Sequence, residues 1–167
     1  MLSMTKALIR LARPADAEVM AALSRDTIEA GLPWRWVEPR VLRCIADPDH
    51  NVVVADLADE AGSASRFAGF GIMQFLDEHA HLALLAVSPA MQGHGVGAAV
   101  LAWLMRCAEV AGAATVKLEL KSNNIRARRF YERAQFREIG LRAGGYYGLA
   151  DQCVMERRLR NVHVSTN

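Results

Sequence analysis

Apolar and polar side chains alternate over residues 8–13, Leu-Ile-Arg-Leu-Ala-Arg, which is the period of a strand. Pro14 breaks that run, and Asp16 offers a cap for a helix. Val19, Met20, Leu23, Thr27 and Ile28 then recur at helical spacing, predicting a helix that reaches about Gly31. An aromatic loop over 32–37 leads to a second, short helix over 39–46. A valine-rich strand follows at 51–57, then a small polar turn at 59–65. Residues 66–75 and 79–87 read as an antiparallel pair turning at 76–78. Val96, Val100, Leu101, Leu104, Met105 and Ala108 mark one face of a strong helix that Gly112 closes. A strand at 115–120, a helix at 124–134 and a strand pair at 136–141 and 152–159 complete the series. The order β-α-α-β-β-β-α-β-α-β-β, without repeats or linkers, predicts an α/β fold with a mixed sheet. One domain over 1–160 and a flexible tail over 161–167 are expected.

Composition narrows the class. With 52% hydrophobic and 23% charged residues, the 167-residue chain can bury a sizeable core. A formal net charge of +2 supplies no global field for nucleic acid or membrane. Cys44, Cys107 and Cys153 are odd in number and outside any metal-binding spacing, which suits free thiols in a reducing compartment. His79 and His81 share one face of a strand but lack a third ligand, so no metal is expected. No signal-peptide pattern is visible, and the longest apolar run, 96–105, is well short of the ~20 residues that span a bilayer. The expectation is a cytoplasmic protein with no membrane partner.

The chemistry concentrates after the strand at 79–87. Gln92, Gly93, His94, Gly95, Val96 and Gly97 put three glycines in five residues before a regular helix. Such a turn lets backbone approach a ligand closely. The helix start adds unpaired N–H groups and the positive end of its dipole. Together they suit a pyrophosphate; without a ligand, the same residues are a glycine-rich turn. Gly93-x-Gly95-x-x-Ala98 also fits a loose dinucleotide fingerprint. Three features count against that fit. The first glycine lies well past the strand end, the motif sits mid-chain, and Glu119 falls mid-strand rather than at a ribose-binding tip.

Residues 85–89, Leu-Ala-Val-Ser-Pro, followed by Gln92-x-x-Gly95-x-Gly97, resemble the coenzyme A loop of the GNAT superfamily of N-acetyltransferases. Asn124-x-x-Ala127-x-x-Phe130-Tyr131 resembles that family's second signature. Gly145-Tyr146-Tyr147 with Asp151 and Met155 is similar to the ending of the bacterial ribosomal-protein alanine acetyltransferases. The similarity covers nearly the whole chain. One departure is Gln135, where the family usually has a glycine before Phe136. The resemblance implies a GNAT-like mixed, mostly antiparallel central sheet flanked by helices. It implies transfer of an acetyl group from acetyl-CoA to a primary amine by direct attack. Acetyl-CoA would lie along Leu85, Ala86 and Val87, with its pyrophosphate at the N–H groups of Gln92, Gly93, His94, Gly95, Val96, Gly97 and Ala98. Asn124, Ala127 and Tyr131 would also contact it. A strand N–H near Ala86 or Val87 would stabilise the oxyanion, Tyr131 would be the general acid and Glu119 the base.

Side-chain chemistry runs alongside these implications. Ala127, Phe130 and Tyr131 share one helix face, which must turn inward and carry the phenol toward the sheet. A phenol can donate to a leaving thiolate of pKa ~8.5; the plainer reading is a core tyrosine. Asn124 suits a helix N-cap. An attacking amine must be neutral, yet an α-amine has pKa ~7.7–8.0 and a lysine ~10.4, so a base is needed, directly or through water. Glu119 and His81 both stay open for that role, and Glu119 has Lys117 and Lys121 as alternative partners. Trp34 and Trp36, with Tyr146 and Tyr147 facing them, suggest aromatic walls around the acceptor; packing under a loop is equally compatible.

Arg126, Arg128, Arg129, Arg133 and Arg137 form a basic patch suited to the 3′-phosphate of coenzyme A, to RNA or simply to solvent. No interleaved aromatics support a nucleic-acid partner. The acceptor class stays open among protein N-termini, amino acids, polyamines and antibiotics. The rival from another class is a coenzyme A-binding sensor or scaffold without catalysis; a nicotinamide-dependent oxidoreductase is more distant. No motif fixes the oligomeric state, and a homodimer is as compatible as a monomer.

Overall fold

The computed structural model describes residues 6–58, 61–62 and 65–159. The expected tail and part of the polar turn at 59–65 lie outside the described residues. The elements are β1 (Ala7–Leu11), α1 (Ala17–Thr27), α2 (Glu38–Ala46), β2 (His50–Ala58), β3 (Ser65–Phe75), β4 (His79–Val87), α3 (Val96–Ala111), β5 (Thr115–Lys121), α4 (Ile125–Arg133), β6 (Arg137–Tyr146) and β7 (Ala150–Arg158). Single 3₁₀ turns at Pro14–Asp16 and Pro89–Met91 lead into α1 and toward α3.

Two local expectations are corrected. The first helix ends at Thr27, short of Gly31. Its last turn closes early, because the Thr27 hydroxyl donates to the Leu23 carbonyl at 2.7 Å. The N–H groups of Ile28 and Glu29 both fold back on Ser24 O. Asp16 sits at the N-cap position but does not cap with its side chain. Its carboxylate instead accepts the Arg13 N–H at 2.7 Å and both terminal nitrogens of Arg10 at 2.8 and 2.9 Å. It ties the end of β1 to the turn that follows.

Seven strands form one sheet in the order β1-β2-β3-β4-β5-β7-β6, every pair antiparallel except β4–β5. Met20, Val41, Val54, Phe70 and Ile72 join α1 and α2 to one face. Val100, Leu104 and Ala108 of α3 and Tyr131 of α4 pack with Val53, Met73, Leu118 and Met155 on the other.

Strand β4 changes face along its length. Met73 pairs with Leu82 and Ile72 with Leu84, which leaves Ala83 as a bulge. One extra residue reverses the in-out alternation. Ala80 and Leu82 therefore lie in the α3 core, whereas Leu84 and Ala86 lie in the α1–α2 core and Leu85 and Val87 turn toward α3. The parallel pairing of β4 with β5 stops at His81↔Lys117, while β5 continues beside β7 to Lys121. The sheet is thus open beyond His81, and the end of β4 has a free edge.

The departure at Gln135 leaves the turn intact. Gln135 adopts φ +69°. Its N–H reaches Glu132 O at 2.9 Å, and that of Phe136 reaches Tyr131 O at 3.0 Å. These two bonds make a Schellman cap. The Phe136 ring packs edge-on to Tyr131 at 5.7 Å between centroids, so the cap also steadies Tyr131.

Candidate functional site

A cavity of about 950 Å³ lies on the α3–α4 side of the opening and another of about 740 Å³ on the α1–α2 side. Leu85, Asn124 and Ala127 line both, so the two cavities meet where β4 and β5 part. Tyr131 lines the second cavity at this junction.

The first cavity joins main chain of one continuous stretch to side chains of α3 and α4. The Ser88 N–H is bonded to Ala68 O on β3. By antiparallel alternation Ala86 also turns its polar groups to β3, and Leu85 and Val87 turn theirs to the open edge. The Gln92 amide confirms that orientation by donating to Val87 O at 3.4 Å. Gly93 and Gly95 take left-handed φ of +83° and +77°, open only to a residue without Cβ at little cost. The first helical bond of α3 runs from Ala99 N to Gly95 O, so the N–H groups of Val96, Gly97 and Ala98 are unused. Gln92 lines the cavity too, with its own N–H bent to Pro89 O at 3.4 Å. His94 is exposed, and neither it nor Ala86 lines the cavity; Ala86 turns its polar groups to β3 and its side chain is buried in the other core. Asn124 caps α4, accepting the Ala127 N–H at 3.1 Å. The arginine patch divides: Arg126 and Arg133 line the cavity with Arg106 and Arg157, whereas Arg128 pairs with Glu138 and Arg137 with Glu156.

The second cavity is built from side chains. Tyr131 is buried, and its hydroxyl has no hydrogen-bond partner among the described residues. Burial, reinforced by Tyr146, pushes the phenol well above its usual pKa, so it stays a donor at neutral pH. His81 Nε2 and Glu119 Oε2 form a short hydrogen bond across the open strands, which replaces the lysine pairing open to Glu119. Burial works to raise the Glu119 carboxyl, but the bond and charge of His81, with Arg142 and Lys117, hold it below its ordinary value. The pair sets a carboxylate beside a histidine ring, groups of the type that orient an amine and accept its proton. Among the described residues no three metal-ligating side chains converge. Cys44 also lines this cavity, but burial raises its thiol pKa and keeps it a poor nucleophile.

Trp36, Tyr146 and Tyr147 line the second cavity as a wall, whereas Trp34 points away under Arg25 and is 42% exposed. The keystone of that wall is Glu29, which sequence reading passed over. It is 2% exposed and accepts from Tyr147 Oη at 2.8 Å, Arg35 N at 2.8 Å, Trp36 N at 3.3 Å and Ser24 Oγ at 3.2 Å. It clasps the loop after α1 to the β6–β7 turn, where Tyr147 sits at a left-handed φ of +58°. Arg35, Arg40, Arg43 and Lys121 line the same cavity and were also missed. A glutamate at the end of an amphipathic helix carries no signal that it will be buried. Only the 118-residue separation between Glu29 and Tyr147, closed by the fold, reveals it.

The profile of the acetyltransferase (GNAT) family matches residues 17–136. The [ribosomal protein bS18]-alanine N-acetyltransferase of Escherichia coli (strain K12) is 36% identical over 86 residues, 52% of this chain and 57% of that protein. The chain thus spans little more than half the length of that relative. The crystal structure of the ribosomal-protein-S18-alanine N-acetyltransferase from Escherichia coli superposes with a TM-score of 0.76 at 24% identity, over 97% of this chain and 99% of that one. That of the PaiA N-acetyltransferase from Thermoplasma acidophilum in complex with coenzyme A gives 0.72 at 16%, over 92% and 99%. These likenesses bear out the mixed, mostly antiparallel sheet flanked by helices.

Proposed function

This chain belongs to the acetyltransferase (GNAT) family, and from that premise we propose that it transfers the acetyl group of acetyl-CoA to a primary amine. A protein or peptide N-terminus is the acceptor that its curated relatives' names favour. The observation that carries the reading is the junction: two cavities on opposite sides of the sheet share Leu85, Asn124 and Ala127, with the Tyr131 phenol beside them. A thioester laid in the first cavity meets an amine from the second at that one point.

Leu85 and Val87 offer their edge groups to the pantetheine amides, and the Val87 N–H is the donor for the carbonyl oxygen as it gains charge. The N–H groups of Gly93 to Ala98 and the guanidiniums of Arg126 and Arg133 receive the phosphates. The amine nitrogen bonds to the acetyl carbon, and the carbon–sulfur bond breaks. The amine proton passes to the His81–Glu119 pair, and the Tyr131 hydroxyl donates to the departing thiolate. Because that phenol holds its proton above the ordinary value, it acts chiefly as a hydrogen-bond donor to a thiolate of pKa ~8.5. Direct attack needs no enzyme nucleophile, which suits the protonated Cys44. The three free thiols suit work in the cytoplasm.

Thiol release from acetyl-CoA, measured over peptides with free N-termini, N-blocked lysine peptides, polyamines, amino acids and aminoglycosides, tests this. Release with one class of amine is expected. Silence across the panel with acetyl-CoA still bound would overturn it in favour of a sensor.

A further inference from the structure

We infer that the acceptor cavity takes an amine whose own molecule carries a carboxylate close to the amine, and disfavours an amine on a basic chain. This rests on the N-acetyltransfer reading above and goes beyond it to the acceptor's charge. Four cationic side chains line the cavity: Arg35, Arg40, Arg43 and Lys121. Its two carboxylates are Glu119, which bonds to His81, and Asp47, whose Oδ1 accepts the Asp49 N–H at 2.9 Å. Among the described residues none of the four cations has a carboxylate within 4 Å. Four cations thus face two carboxylates, so the lining is net cationic and no cation of the four is paired within the described residues.

Two of the guanidiniums are also held in position. The Arg40 guanidinium carbon lies over the Trp36 ring, 3.7 Å from its centroid, and that of Arg35 over the Tyr147 ring at 4.3 Å. The same buried carboxylate holds both segments, since Glu29 accepts from the Trp36 backbone N–H and from the Tyr147 hydroxyl. Stacking uses the faces of a guanidinium and leaves its N–H edge free. That edge matches a carboxylate with two parallel bonds. The arrangement is set before ligand arrives, so little ordering entropy is lost on binding.

The same charges assist the chemistry. Nearby cations disfavour an ammonium and so lower the pKa of an amine bound among them. An α-amine, free at ~7.7–8.0, needs only a small push to be neutral at pH 7. A chain with lysine or arginine beside its terminus would add like charge to an already cationic wall. Two sources share the favoured chemistry: a free amino acid, and a peptide terminus followed by acidic residues.

The test compares steady-state thiol release for peptides that begin with alanine and continue with two aspartates, two serines or two lysines, beside free aspartate, glutamate and alaninamide. The acidic peptide should exceed the lysine peptide in kcat/KM by about a hundredfold and the serine peptide by about tenfold. Free dicarboxylic amino acids outrunning the acidic peptide would assign the small-molecule source, and the reverse order the peptide source. Arg40→Gln with Arg43→Gln should raise KM for the acidic acceptor about tenfold or more while the Kd of acetyl-CoA, read by calorimetry, stays put. Arg43→Glu should narrow the gap between acidic and basic peptides, an effect that loss of folding would not give. Equal kcat/KM across the three peptides, or a preference for lysine, would overturn the inference. If no amine releases thiol, quenching of tryptophan fluorescence by succinate in the coenzyme A-bound protein still decides it. Saturable binding lost in the arginine double variant supports the anion site while the transferase reading falls; no binding overturns both.

Discussion

The cavities on either side of the β4–β5 opening differ in what they are made of. The α3–α4 side uses main-chain groups of one continuous stretch, from the edge of Leu85 and Val87 through Gly93 and Gly95 to the first turn of α3. The α1–α2 side uses side chains gathered from α1, α2, β4, β5 and the β6–β7 turn, clasped by Glu29. A backbone cradle is indifferent to most substitutions except at glycines. A side-chain wall can be repainted residue by residue without disturbing the fold. The first cavity can therefore serve a ligand common to a family while the second sets what a given member acts on.

The most severe way to test this division is at the junction that belongs to both cavities. Tyr131→Phe keeps the ring that packs on Phe130 and Phe136 and removes only the hydroxyl. Thiol release should fall by ~10²–10⁴ in kcat, the usual size of a proton-transfer contribution. The acetyl-CoA Kd should hold. An unchanged kcat would reduce Tyr131 to a core tyrosine and leave the junction without a donor.

Next in size is the His81–Glu119 pair on the acceptor side. His81→Ala and Glu119→Gln should each lower kcat/KM by ~10–100-fold, and the double variant should lose little more than the worse single, because coupled groups are not additive. Multiplicative losses would show two independent roles. The pair also gives a pH signature. Glu119 has a folded pKa below its unfolded ~4.3, so its stabilising share is complete above that value and disappears as pH falls through the lower folded pKa. The stability gap between wild type and Glu119→Gln should be present at pH 5 and shrink as pH falls below ~4, as read by chemical denaturation at each pH.

A matched pair of variants then damages one cavity at a time. A Cβ at Gly69 would sit 2.6 Å from Ala86 O and 3.3 Å from Val87 Cα, both backbone of the cradle strand, which cannot yield cheaply. Gly69→Ala should cost about 1–3 kcal/mol of stability and weaken acetyl-CoA binding. Glu29→Gln should cost about 1.5–3 kcal/mol by weakening a carboxylate bonded to four donors. It should raise KM for the acceptor and leave acetyl-CoA binding alone. If both variants change both ligands alike, the cavities are not separable.

The same contrast explains what could be read from the chain. The glycine turn, the α3 face and the Asn124–Tyr131 spacing are local patterns, and local patterns survive in a sequence. Strand β4 was legible in extent, yet its change of face was not. Alternation over 79–87 looks unbroken, and the bulge at Ala83 is set by pairing with β3. That bulge sends Val87 to the first cavity, sets Leu85 at the junction of both and leaves His81 in the second. Glu29, Arg35 and Arg40 were invisible for a related reason. Their environment is made by residues that arrive from far along the chain, and charged residues at a helix end or in a loop ordinarily face water. Trp34 and Trp36 illustrate the limit from the other side. They look equivalent in sequence, but only Trp36 packs inward, in the α1–α2 core with its backbone N–H on Glu29.

The smallest effect concerns Gln135, where the resembled pattern has a glycine. Gln135 occupies the left-handed C′ position of the α4 cap with both Schellman bonds formed. A side chain there costs about 1 kcal/mol against glycine, but glycine also loses more backbone freedom on folding, ~0.4–1 kcal/mol. The net gain for Gln135→Gly should be only about 0.5 kcal/mol, visible as a rise in the denaturation midpoint at constant m-value. Both cavities should be unmoved, with kcat and both KM values as in wild type. The cap fixes Tyr131 through its carbonyl and the Phe136 ring, and neither depends on which residue stands at 135 once the turn is made. A change in kcat with this variant would mean that the cap still shifts the phenol, and that the junction is less rigid than its packing implies.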